Sequence, residues 1–138
     1  MTAETKTIEE NFHVGPQITP EDVAALKADG FDMIINNRPD LEEDGQPTGA
    51  EIHEAAKAAG MRYVHIPVER GISPAEVDEE AAALADAGDA KVFAYCRTGT
   101  RSTLLWALAQ REAGRDKEDL RQKAEAAGYS LDPIQHLL

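Results

Sequence analysis

Val92-Phe93-Ala94-Tyr95-Cys96-Arg97-Thr98-Gly99-Thr100-Arg101-Ser102, running on into Thr103-Leu104-Leu105-Trp106-Ala107-Leu108, decides the fold. Val92 to Tyr95 is a short apolar run, the pattern of a strand buried on both faces of a parallel sheet. Leu104 to Ala109 is apolar nearly all round, which suits a helix buried on most sides. Between them lie the single cysteine of the chain, a glycine and two arginines. A buried strand that ends in Cys96 carries its sulfur to the carboxyl edge of the sheet, where open α/β sheets bind ligands.

The residue types set the chemistry of this loop. Backbone N–H groups from Arg97 to Ser102 can turn inward around an anion, and the N-terminus of the following helix adds partial positive charge. Gly99 permits a left-handed backbone and a tight wrap. The field that holds an anion also favours the thiolate of Cys96, which makes it a nucleophile. Arg101 can grip two oxygens of an oxyanion through its planar fork. Arg97, Thr98, Gly99, Thr100 and Ser102 complete the expected binding loop, with Ser102 expected to cap the helix and offer its hydroxyl to the thiolate.

Cys96-Arg97-Thr98-Gly99-Thr100-Arg101-Ser102 resembles the active loops of two enzyme groups. Cysteine-dependent phosphatases place five residues between the cysteine and the arginine, and rhodanese-type sulfurtransferases place four. Four residues separate Cys96 from Arg101, so the loop length is rhodanese-like. A wider set of segments resembles the bacterial family called beta-lactamase hydrolase-like protein, phosphatase-like domain. These are Ile34-Ile35-Asn36-Asn37-Arg38-Pro39-Asp40, Tyr63-Val64-His65-Ile66-Pro67-Val68, and the cysteine loop with Leu105-Trp106-Ala107-Leu108. The resemblance runs from about Phe12 to Leu131. It implies a protein tyrosine phosphatase-like three-layer α/β fold: a central, mostly parallel sheet of four or five strands with helices on both faces. Members of that family are labelled phosphatase-like or sulfurtransferase.

The rest of the chain fits one α/β unit. At 138 residues the chain is long enough for one domain with a sizeable core. Residues 1–10 are expected to be a flexible tail. Phe12–Val14 and Gln17–Ile18 could form an edge strand or a hairpin around Gly15-Pro16. Thr19-Pro20-Glu21-Asp22, Thr48-Gly49-Ala50-Glu51 and Ser73-Pro74-Ala75-Glu76 all read as helix starts. Phe31–Asn36 and Met61–Val68 read as strands, and Asp116–Ala127 as a charged helix. Tyr129–Leu138 reads as a closing turn or helix that covers the core.

Charge narrows the partners. A net charge of −12 argues against nucleic acid and anionic membrane, but not against a small anion held by clustered cations. No apolar run is long enough to span a bilayer, and the N-terminus has no hydrophobic signal region, so a cytoplasmic location is expected. One cysteine excludes an internal disulfide. No cofactor is called for.

Two further residues are candidates for the site. The irregular Asn37–Pro47 stretch reads as a solvated acidic loop or, since it leaves the same sheet edge as Cys96 if the strands are parallel, as one that brings Arg38 or one of its acids to the site. Glu69 follows the second strand. The phosphatases that this chain resembles carry a proton-donating aspartate there, whereas no Asp occurs between Pro67 and Asp78, leaving Glu69 as the near candidate. His65, alone in mid-strand, reads as a satisfied core histidine.

Loop length and the missing aspartate make sulfur transfer the leading expectation. Cys96 would take the outer sulfur of a thiosulfate-like donor as a persulfide and, with no second cysteine, pass it to an external thiol or cyanide. The alternative is a phosphatase working through a phosphocysteine on Cys96. A third is a non-catalytic anion-binding module.

Overall fold

A computed structural model describes residues 4–138. Five strands form one sheet in the order β1-β2-β5-β3-β4. They are β1 (Lys6–Glu9), β2 (Phe12–Gly15), β3 (Phe31–Asn36), β4 (Arg62–His65) and β5 (Lys91–Tyr95). β5 pairs in parallel with β2 on one side and β3 on the other, and β4 pairs in parallel with β3. Only β1 runs antiparallel, against β2, with a register shift between Thr7 and Glu9. The mostly parallel α/β architecture implied by the sequence is the one observed.

Residue alternation builds two cores. On β5, Val92 and Ala94 face one cluster while Phe93 and Tyr95 face the other. On β3, Met33 and Ile35 face the first cluster and Phe31 and Ile34 the second. A strand buried on both faces needs apolar residues at every position, and the run Val92–Tyr95 supplies them. Helices α1 (Pro20–Ala28) and α2 (Gly49–Ala58) cover one face through Val23, Leu26, Ile52 and Ala56. Helices α3 (Pro74–Ala87), α4 (Thr100–Glu112) and α5 (Lys117–Ala126) cover the other. Trp106 of α4 is fully buried and stacks on Phe12 with centroids 5.8 Å apart. Burying side chains of this size stabilises by roughly 1.5–3 kcal/mol each. A 3-10 helix, Asp132–Leu137, closes the chain against the same core through Ile134.

Helix starts follow the sequence signals. Thr19, Thr48 and Ser73 are the N-caps of α1, α2 and α3, each in a capping box whose third helical residue returns the bond.

The N-terminal segment departs from expectation. Residues 1–3 of the expected tail lie outside the described residues, but Lys6–Glu9 forms the edge strand β1. Phe12–Gly15 is then an interior strand, and its hairpin partner precedes it instead of following Gly15-Pro16. Glu9 is fixed by Arg115 at 2.8 Å and Lys123 at 3.3 Å, which tie the edge strand to the region of α5. Among the described residues, no helix is long and apolar enough to cross a membrane.

Candidate active site

Parallel pairing brings the site together. Asn36 of β3 lies in register with Tyr95 of β5, and the Asn37 N–H donates to the Tyr95 carbonyl at 2.8 Å. Asn37-Arg38 and Cys96 therefore leave the sheet side by side at its carboxyl edge. Cys96 is 1% exposed. The Gly99 N–H donates to its Sγ at 3.1 Å.

Gly99 caps α4 with φ 92°, a left-handed backbone that an L side chain adopts only with strain. A Cβ there would also run into the Tyr129 hydroxyl. That hydroxyl donates to the Thr98 carbonyl at 2.9 Å, and the Thr103 hydroxyl donates to the Gly99 carbonyl at 2.8 Å. The loop is thus held from both sides. Thr98 and Thr100 share a hydroxyl contact at 3.0 Å on the solvent side.

Arg101 faces both Cys96 and an internal carboxylate. Its Nη1 donates to Glu42 Oε2 at 2.7 Å and to the Val68 carbonyl at 2.7 Å, and Nη2 donates to Glu42 Oε1 at 2.8 Å. Glu42 raises the Arg101 pKa further, and Cys96 acts in the same direction. In turn Arg101, followed by Arg38, holds the Glu42 carboxyl down at about 2 against the opposing effect of burial. Leu41, at φ 63°, turns the chain just before Glu42.

Arg38 is 2% exposed and joins this network. It donates from Nε to Glu42 at 2.9 Å, from Nη1 to Gln17 Oε1 at 3.0 Å and from Nη2 to Glu43 at 3.4 Å. Its carbonyl is in contact with His65 Nε2 at 3.0 Å, which satisfies that histidine as the sequence reading expected. The acidic loop is therefore part of the site: Glu42 and Glu43 are fastened to its arginines.

Two loop residues behave differently from expectation. Ser102 neither caps α4 nor donates to the sulfur of Cys96. It is fully buried one turn inside the helix start, and its hydroxyl donates to Asn37 Oδ1 at 2.8 Å. Gly99 has taken the cap position, because the loop needs its left-handed backbone there. Arg97 is 60% exposed and reaches Glu43 at 3.5 Å, away from the loop centre. Glu69 lines a depression whose wall includes Arg101.

Gln17, Asn37 and Tyr129 were not among the residues singled out by sequence, and Glu42 entered only as one of several acids in the Asn37–Pro47 stretch. A buried acid lies behind the site as well. Glu80 of α3 is fully buried beside Asn37, without a close hydrogen-bond partner for either carboxyl oxygen. Burial pushes its carboxyl up to about 8, only partly offset by Asn37.

The family model for "Beta-lactamase hydrolase-like protein, phosphatase-like domain" matches residues 4–113. The chain belongs to this family. A beta-lactamase hydrolase-like protein of Agrobacterium fabrum is 37% identical over 126 residues, covering 90% of this chain. The chain spans 29% of that relative's length. The crystal structure of a candidate phosphatase from Neisseria meningitidis Z2491 superposes on this phosphatase-like domain with a TM-score of 0.78 and 34% identity, covering 96% of this chain and 94% of that one. Kinase associated phosphatase, with its catalytic cysteine replaced by serine, shares the fold at a TM-score of 0.72 and 14% identity, covering 93% of this chain and 85% of that one. The phosphatase-like fold is thus established for the domain.

Proposed function

We propose that the domain is a cysteine-dependent phosphatase that hydrolyses phosphate monoesters. One observation carries the reading: Cys96 sits between the N-terminus of α4 and the Arg101 guanidinium, at the carboxyl edge of the sheet. The phosphatase names of the family and of the solved neighbours favour this alternative over sulfur transfer, which loop length and the missing aspartate had put first.

The chemistry follows from charge placement. Cys96 Sγ attacks phosphorus, and the bond from phosphorus to the ester oxygen breaks. Loop N–H groups and Arg101 stabilise the non-bridging oxygens as charge shifts on to them. The departing alkoxide needs a proton. Glu42 cannot supply it, because two arginines keep it ionised. Glu69, at the wall of the same depression as Arg101, is assigned as the donor. Water then attacks the phosphocysteine, gives its proton to Glu69 and releases inorganic phosphate and the thiolate.

Phosphate release from 4-nitrophenyl phosphate is the first test, beside intact mass after exposure to thiosulfate. Release that is abolished in Cys96→Ser is expected. A gain of one sulfur on Cys96 without phosphate release would instead establish sulfur transfer. Neither signal, with thermal stabilisation by sulfate, would leave an anion-binding module. Glu69→Gln is expected to cost about 10²–10⁴-fold with a poorly departing alcohol and far less with 4-nitrophenol. Equal losses for both leaving groups would remove Glu69 from the donor role.

A further inference from the structure

Beyond the loop, the surface beside Arg101 is apolar. A depression of about 480 Å³ begins at Arg101 and runs between the segment after β4 and the closing 3-10 helix. Ile72, Leu104, Ile134 and Leu137 form its walls, with Glu69 and His136 at its polar side. A second depression of about 380 Å³ lies beside it, with Ile72 and Leu137 as shared walls. Its further walls are Pro74, Val77 and Leu108. Each volume lies in the range of about 300–1,000 Å³ that holds small-molecule ligands.

The charge distribution along this channel is uneven. The cations Arg101 and the α4 N-terminus stand at its start. Its far mouth carries Asp78 and Glu112 against the single cation Arg111. Asp78 acts on Glu112 to raise its carboxyl pKa, as two facing acids must. A second anionic group would be repelled there. Leu137 is 52% exposed, one of two large apolar side chains left exposed among the described residues.

We infer that the substrate is a phosphate monoester of an extended, uncharged apolar alcohol: its phosphate sits in the cysteine loop and its tail lies in the channel past Ile72 and Leu137. This rests on the reading of the site as a phosphatase and names the substrate class. Arg101 belongs both to the cysteine loop and to the wall of the first depression, so an apolar leaving group on a phosphate held by Arg101 can lie along it. No chemistry is added to the hydrolysis described above. The released alcohol keeps the oxygen and gains one proton.

A series of 4-n-alkylphenyl phosphates, from methyl to octyl, tests the inference, since the leaving group barely changes along it. kcat/KM is expected to rise about fourfold for each added methylene until the channel is filled. Leu137→Glu and Ile72→Glu are expected to flatten that rise. Turnover that is independent of tail length overturns the inference and leaves the phosphatase reading standing. So does a preference for phosphotyrosine peptides without an alkyl dependence, which would mark a protein substrate. If no member releases phosphate, the phosphatase reading fails. The channel is then judged by calorimetric binding of n-alkylphosphonates to Cys96→Ser: affinity that climbs with chain length sustains it, and affinity that does not overturns it.

Discussion

At the scale of the residue, Arg101 spends its outer edge on Glu42 and the Val68 carbonyl. A guanidinium held in this way keeps one orientation and loses little entropy when an anion arrives. Glu42 is therefore a positioning residue. Glu42→Gln keeps the shape but removes the charge, and charge-assisted bonds contribute about 1.5–3 kcal/mol. A fall in kcat/KM of roughly 10- to 100-fold is expected, while Arg97→Ala, at an exposed and loosely paired position, should do much less than Arg101→Ala. Steady-state kinetics on the three variants checks this, and equal activity of Arg101→Ala and the parent would remove Arg101 from the site. Acid acts on the same contact. The lowered Glu42 pKa means that its contribution to stability is present above the ordinary carboxylate pKa and is lost as pH falls through about 2. Cys96 and Arg101 were legible because they share one contiguous loop. Gln17 and Asn37 were not, and Glu42 could not be told from the other acids of its loop, because which residues reach the site is set by the pairing of β3 with β5 and the turn at Leu41.

At the scale of the element, the junction between the cysteine loop and α4 depends on Gly99. Its φ of 92° and the Tyr129 hydroxyl both exclude a side chain. Gly99→Ala is expected to lower stability by about 1–2 kcal/mol from backbone strain, with further loss from the collision and a severe drop in activity. Tyr129→Phe removes the hydroxyl and should relieve the steric part alone. Denaturant melts of the two single variants and the double variant measure the coupling. Strict additivity would show that Tyr129 is not what Gly99 avoids. The helices themselves were readable, since Thr19, Thr48 and Ser73 announce their starts by short-range chemistry. β1 was not. Lys6-Thr7-Ile8-Glu9 has one buried apolar residue, and its place is set by pairing with β2 and by the partners of Glu9, which sequence spacing does not reveal.

At the scale of the whole molecule, stability should decline as pH rises from the mildly acidic range to about 8. Glu80 titrates near 8 when folded and in the ordinary carboxylate range when unfolded, so the folded state binds the extra proton between those values. Its contribution is full below the unfolded pKa and is lost as pH rises through about 8. Unfolding free energy is expected to fall by a few kcal/mol between about pH 5 and 9, and Glu80→Gln should flatten the slope. A parent profile as flat as that of the variant would show that Glu80 is solvated or paired. The net charge of −12 adds to this trend through self-repulsion.

Cys96 is the chain's single cysteine and lies 1% exposed under its loop. Hydrogen peroxide that reaches the thiolate would convert it to a sulfenic acid, with water as the other product. Many redox-controlled enzymes trap that species as a disulfide with a neighbouring thiol, which shields the sulfur from further oxidation. Here no such neighbour exists in the chain. Recovery then depends on a thiol from outside these 138 residues reaching the sulfur before a second oxidation makes the loss permanent.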